Sequence, residues 1–220
     1  MRPDAEHRAD ATSLRQRLRH VYWIGGGSGG GKSTIAHRIA ARNGLQVYGT
    51  DEVMPDHARR SSPDDAPYLE QFKAMDMGER WLNRSPETML ETFHWFRGEG
   101  LDLIVEDLLQ APPETGVVAE GFRLLPRLVQ PLLADPVHAV WLLPTPEFRV
   151  AAFERRGTTW DIPRKTKDPA RARQNLLERD RMFTDRLAEE TTRLGLRAIE
   201  VDTMLGEDDL ADQIAHAFGL

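Results

Sequence analysis

Residues 26 to 34 read Gly-Gly-Ser-Gly-Gly-Gly-Lys-Ser-Thr and satisfy the spacing G-x-x-x-x-G-K-[ST] counted from Gly26. That spacing suits a cradle for phosphate. Main-chain N–H groups converge on an anion only through dihedrals that a Cβ opposes, and Gly26, Gly27, Gly29, Gly30 and Gly31 around Ser28 allow them. In such a cradle Lys32 reaches the β and γ phosphates, the Ser33 hydroxyl is placed to ligate Mg²⁺, and Thr34 continues the turn. The composition alone also fits a flexible linker. The flanks favour the cradle: Val-Tyr-Trp-Ile at 21–24 reads as a buried strand, and Ile35, Ala36, Ile39 and Ala40 share one helical face.

Phosphoryl chemistry also needs acids. Asp51, in Tyr-Gly-Thr-Asp-Glu-Val, sits just past a second apolar run at 45–48, where a carboxylate could position or deprotonate an acceptor hydroxyl. The alternative is that Asp51 caps a helix starting at Glu52 or Val53. Glu120, in Val-Val-Ala-Glu-Gly, ends a third apolar run and is the first choice for a magnesium acid. Asp107, in Leu-Asp-Leu-Ile-Val-Glu-Asp at 101–107, competes for that role. The two runs cannot be neighbouring parallel strands, because about nine residues separate them and a parallel crossover needs a dozen or more. Pro112, Pro113 and Gly116 delimit 116–119 as the strand, while Leu101, Ile104, Val105 and Leu108 are spaced for a helix.

Positive charge is concentrated between Arg149 and Arg181, with ten basic side chains against five acidic, in a chain of net charge −6. Arginine forks match phosphate oxygens, and a loop hinged at Gly157 could close over a nucleotide with Arg155 and Arg156, then Arg164. From Arg171 onward the pattern fits a solvated helix laced with ion pairs. Between His57 and Arg97, Arg59, Arg60, Tyr68, Trp81, Arg84, His94 and Trp95 could hold a ring or sugar. Trp81, Phe93 and Phe96 at helical spacing also fit a core. His57 and His94 have no metal-ligand spacing.

The elements that must position these residues alternate. Further strands are expected at 138–144 and 196–202, and Gly44 is placed to end the helix after the cradle. Alternating strands and helices give a three-layer α/β/α sandwich on a five-stranded parallel sheet, with ligands at the carboxyl ends of the strands. Residues 1–20 are an N-terminal extension with a short lead-in helix after a frayed start, and 21–220 are one domain. Within it, 55–110 form a helical insertion for the acceptor and 149–181 a lid. The chain contains no cysteine, so thiol nucleophiles and cysteine-based metal sites are excluded. No run is apolar enough for a signal peptide or membrane span, and the reading is a cytoplasmic protein.

The glycine motif, Thr-Asp-Glu-Val after the second strand, Val-Val-Ala-Glu-Gly at the third and the arginine-rich segment after the fourth resemble the P-loop kinases of the nucleoside and nucleotide kinase-like group. The resemblance covers most of the chain in layout, with only the first motif specific. It implies a P-loop NTPase core, ATP as donor, Mg²⁺ as cofactor, transfer to a hydroxyl of a small molecule (nucleoside, sugar acid or similar), and a lid. Two other readings stand beside it: a regulatory or assembly ATPase without a small acceptor, and a polynucleotide-end kinase, which the net negative charge disfavours.

Overall fold

The computed structural model describes residues 12–156 and 162–220, the side chain of Arg156 excepted. Strands β1 (Val21–Gly26), β2 (Gln46–Gly49), β3 (Val117–Glu120), β4 (Ala139–Pro144) and β5 (Arg197–Val201) form one parallel sheet in the order β2-β3-β1-β4-β5. Each lies within two residues of its expected span. Neighbours along a strand separate to opposite faces. Trp23, Ala119 and Trp141 join one apolar layer, and Ile24, Val118, Val140 and Leu142 the other. Burial on both faces is why β1, β3 and β4 read as apolar runs.

Helices α1 (Lys32–Asn43) and α10 (Glu207–Phe218) cover one face through Ile35, Ile39, Leu210 and Ile214. Gly44 takes the left-handed conformation expected of the α1 cap, with φ 65°. The other face carries α9 (Pro169–Leu194), whose Leu176, Phe183 and Leu187 enter the core, and the segment between β2 and β3. That segment is a series of short helices joined by turns: α2 (Met54–Arg60), α3 (Pro67–Ala74), a π-helical turn (Glu79–Asn83), α4 (Pro86–Thr92), α5 (His94–Arg97) and α6 (Leu101–Gln110). Ser85 caps α4, its hydroxyl accepting from the Thr88 N–H. Residues 101–107 fall in α6 with Leu103, Ile104 and Leu108 buried on one side, so the crossover argument against a strand there holds.

The chain returns through α7 (Pro126–Val129), where Pro131 turns it into a 3₁₀ segment, and after β4 through α8 (Pro146–Arg156). Residues 12–17 are helical, as expected of the lead-in. The expected frayed start at 1–11, the hinge at Gly157 and the adjoining loop to 161 lie outside the described residues. Among the described residues no helix is long and apolar enough to cross a membrane.

The order of the sheet fixes where a ligand can sit. The chain leaves β1 toward one edge and leaves β3 and β4 toward the other, which opens a crevice at the carboxyl end of β1. Ile24 and Gly49 are both in register with Glu120, so the glycine run, the β2–α2 turn and Glu120 meet there.

Candidate active site

The glycine run leaves β1 at the crevice and ends at α1. Gly26, Gly29 and Gly31 have φ of 134°, 79° and 79°, values that L side chains rarely adopt. Gly27 is required by space instead: a Cβ there would lie 2.4 Å from the Thr184 hydroxyl and 2.9 Å from Pro144. Its N–H is tied to the Leu142 carbonyl at 3.0 Å. Helix α1 starts from Gly31 with no capping side chain and no acid in its first turn. Its first N–H groups and its dipole are therefore left for an anion. The buried Lys32 folds back on this loop, its Nζ donating to the Gly27 carbonyl at 2.8 Å. These features fit a polyphosphate.

Ser33 Oγ donates to Glu120 Oε1 at 2.9 Å, which brings together the two side chains expected to serve magnesium. Glu120 is buried, and burial raises its carboxyl above the ordinary range against the opposing pull of Lys32 and the Ser33 hydrogen bond. A divalent ion here would relieve that cost, and two oxygen ligands suit Mg²⁺, which retains waters and phosphate oxygens for the rest. Asp107 is elsewhere. It sits on α6, where Oδ2 accepts from the Tyr48 hydroxyl at 2.7 Å and meets His57 Nε2 at 2.8 Å. Arg60 reaches its Oδ1 at 2.9 Å. Burial opposes its ionisation, but the bonds from His57, Arg60 and Tyr48 outweigh this and hold the carboxyl below the usual range.

Asp51 lies exposed on the turn before α2. It does not cap that helix: the capping position is Val53, which offers no side-chain bond. Beneath the turn, the buried Arg123 donates to the Thr50 carbonyl at 3.2 Å and the Gly100 carbonyl at 3.0 Å, and its Nη2 meets His57 Nδ1 at 3.0 Å. Because a guanidinium only donates, Nδ1 accepts, and the proton of neutral His57 is on Nε2 facing Asp107. Burial lowers Arg123 to about 10. Its cation also stacks 4.0 Å from the Trp95 ring. The Asp107–His57–Arg123 relay thus supports the turn that carries Asp51.

Next to Asp51 is a cavity of about 210 Å³. Its walls are mainly Phe72, Trp81, Phe93, Trp95, Phe96 and Phe122, with Ser28 of the glycine run and Asp51 also among the lining residues. The aromatic residues expected to be either core or ligand wall are therefore both: Trp81, Phe93 and Phe96 are buried in the core cluster and bound the cavity. His94 and Arg179 complete the polar part of the lining. Of the other candidates in this segment, Arg59 and Arg60 pair with Asp56, Arg84 bonds to the Glu79 carbonyl, and Arg97 stacks on Tyr68.

The basic segment divides. Arg181 pairs with Glu178 and Asp185, and Arg173 with Glu154, as expected of a solvated helix. Arg179 does not follow that expectation: it is 5% exposed and faces the core because it shares the α9 stripe of Leu176, Asp180 and Phe183. Arg149 is also buried, its Nε donating to the Ser28 carbonyl at 3.2 Å and its Nη2 to the Thr184 hydroxyl. Arg155 is exposed on the last turn of α8.

No protein-family model matches this chain, and no curated protein does. Among solved structures it is similar to deoxyadenosine kinase from M. mycoides with bound dATP, at 12% sequence identity and a TM-score of 0.49, over 91% of this chain and 100% of that one.

Sequence reasoning missed Arg179, Arg149, Arg123 and His57, whereas His94, named among the residues that could hold a ring or sugar, does line the cavity. A signal existed for Arg179: it falls at an apolar-face position of a strongly periodic helix, where a charge needs a partner or a ligand. Arg123 and His57 carry no such signal, since their contacts span 66 residues.

Proposed function

We propose that this chain is an ATP-dependent kinase that transfers the γ-phosphate of Mg-ATP to a hydroxyl of a small molecule. One observation carries the reading: the aromatic cavity is lined by Ser28 of the phosphate cradle and by Asp51 together, so a molecule held there has its hydroxyl between a carboxylate and the donor. The cradle spans Gly26 to Thr34. Lys32 neutralises charge on the β and γ phosphates, and Ser33 with Glu120 would hold magnesium. Bound Mg²⁺ would supply further neutralisation of phosphate charge.

Asp51 aligns the acceptor hydroxyl and takes its proton as the oxygen bonds to the γ phosphorus. The bond from that phosphorus to the bridging oxygen breaks, and ADP leaves with the electron pair. The aromatic walls exclude water that would compete as acceptor. Arg155 and Arg156 close over the nucleotide from the end of α8, while Arg149 and the inward side of α9 within the 149–181 region stay packed. The insertion 55–110 supplies the acceptor wall, and Leu18 of the N-terminal extension packs into the core of the domain.

The test is ADP release from purified protein with Mg-ATP and pools of nucleosides, sugars and hydroxy acids. One pool should stimulate turnover, and both Lys32→Ala and Asp51→Asn should abolish it. If ATP binds and no pool stimulates its consumption, a regulatory ATPase replaces this reading. Full turnover in Asp51→Asn would remove that residue as the base.

A further inference from the structure

The aromatic cavity has polar features that narrow its occupant. Arg179 is bonded on one side only: Nε and Nη2 both donate to Asp180 Oδ1, at 2.9 and 2.6 Å, while Nη1 is buried and has no partner. The guanidinium lies 5.0 to 5.3 Å from the ring centres of Trp81, Phe93 and Phe96. His94, 2% exposed and packed against Phe72, Phe93 and Trp95, has an unpartnered Nδ1. A buried cationic N–H without an acceptor is costly, so unpartnered groups of this kind on residues that line a cavity point to a ligand that supplies the partner.

Charge decides what kind of ligand. Arg179 is the one cation among the lining residues described, and Asp180 already matches it. Burial, with help from the surrounding cations, lowers His94 to about 3 and leaves the imidazole neutral at physiological pH. Asp51 adds a negative charge at the same wall. No unmatched positive charge remains there for a carboxylate or phosphate, and an anion would pay desolvation without recovering it. Flat aromatic walls favour a flat ring.

We infer that the cavity takes an uncharged acceptor bearing a planar heterocycle, and that Arg179 and His94 are its specificity-determining residues, reading hydrogen-bonding groups on the ring edge. The inference rests on the kinase reading for the word acceptor, and binding tests it without turnover. Arg179 Nη1 donates to a ring carbonyl or ring nitrogen, and His94 gives a second contact as donor or acceptor according to its tautomer. Sugar acids and sugar phosphates lack both the ring and the neutrality.

The experiment titrates the full chain, without ATP, with adenosine, guanosine, cytidine, uridine, gluconate and ribose 5-phosphate, following tryptophan fluorescence because Trp81 and Trp95 line the cavity. A parallel melt with adenylyl imidodiphosphate and Mg²⁺ reports on the phosphate cradle alone. At least one nucleoside should bind saturably, at least tenfold tighter than gluconate or ribose 5-phosphate. Arg179→Lys keeps a cation on Asp180 and removes the fork, so the ratio between the best and the worst nucleoside should fall at least tenfold. If Arg179→Lys does not fold, His94→Phe serves, with the same expected fall in discrimination.

Preference for gluconate or ribose 5-phosphate overturns the inference, as does absence of nucleoside binding. An equal loss of affinity for every nucleoside in the folded variant also overturns it, since that is what a merely structural role would give. Failure of the nucleoside panel with a normal shift from adenylyl imidodiphosphate rejects the ring and leaves the phosphate cradle standing. Absence of that shift rejects the kinase reading.

Discussion

Asp107→Asn separates a structural acid from a metal acid, and the geometry gives its size. In the native protein Asp107 Oδ2 takes the Tyr48 hydroxyl and His57 Nε2, while Arg60 approaches Oδ1. The asparagine can turn its remaining oxygen toward Tyr48 and His57, so both bonds survive as neutral ones. Hydrogen bonds to charged groups contribute about 1.5–3 kcal/mol and neutral ones about 0.5–1.5, which puts the loss near ~2 kcal/mol over the two. The exposed Arg60 contact is screened and is left out of this figure. In a domain of this size ~2 kcal/mol corresponds to a fall in Tm of roughly 4–8 °C.

The pH dependence follows from the direction of the shift. The Asp107 carboxyl is held below its ordinary range in the folded protein, so its stabilisation is present above the unfolded value and lost as pH falls through the folded one. The gap between native protein and Asp107→Asn should therefore be full at pH 7 and close only in acid below the ordinary aspartate range. Paired melts across pH measure it. Adding Tyr48→Phe completes a cycle in which the two changes should couple by more than about 0.5 kcal/mol. Throughout, Asp107→Asn should keep the Mg²⁺-dependent part of the stabilisation by adenylyl imidodiphosphate. A Tm at pH 7 within one degree of the native value, on the order of a few tenths of a kcal/mol, would refute the hydrogen-bond account. Loss of the Mg²⁺-dependent increment would return Asp107 to the metal.

Glu120→Gln should do the reverse, losing that Mg²⁺-dependent increment at little or no cost in Tm. Because burial raises the Glu120 carboxyl, protonation favours the folded state: any stability advantage of the glutamine at neutral pH should shrink as pH falls through the raised value, and Mg²⁺ affinity of the native protein should weaken at a higher pH than for an ordinary glutamate. Gly27→Ala places a Cβ 2.4 Å from Thr184 Oγ1 and should weaken adenylyl imidodiphosphate at least tenfold by calorimetry. Arg149→Met removes the buried tie to the Ser28 carbonyl and should both lower the Tm and weaken nucleotide binding, with unchanged nucleotide affinity counting against its role in shaping the cradle.

What the sequence disclosed is what short-range physics determines. The central strands β1, β3 and β4 declare themselves because each is buried on both faces, and the glycine run because its spacing matches a known phosphate-cradle pattern. Glu120 could be preferred to Asp107 as strand-end acid because a parallel crossover has a minimum length, and the finding that 101–110 is α6 agrees. The 55–110 segment is legible as a helical insertion with residues that could hold an acceptor, but which of them line one space is not. Periodicity reports that Trp81, Phe93 and Phe96 turn inward and is silent on whether they close against each other or leave a space.

The residues that escaped notice did so for two different reasons. His57 depends on Asp107 and Arg123, which are 50 and 66 residues away, and no local pattern carries that information. Arg179 is the instructive case, because the spacing of charges from Arg171 onward fits a solvated helix laced with ion pairs. Such spacing shows which charges can meet along a helix, whereas burial depends on which side of it they lie. Leu176, Phe183 and Leu187 define the inward stripe, Arg179 and Asp180 fall within it, and Glu178 and Arg181 fall outside. A buried arginine pays a desolvation cost that one carboxylate oxygen, bonded twice along one edge of the guanidinium, repays only in part. The unpaired edge is then a demand on the cavity's occupant, and for that reason the selectivity of Arg179→Lys bears more directly on the substrate than any loss of turnover.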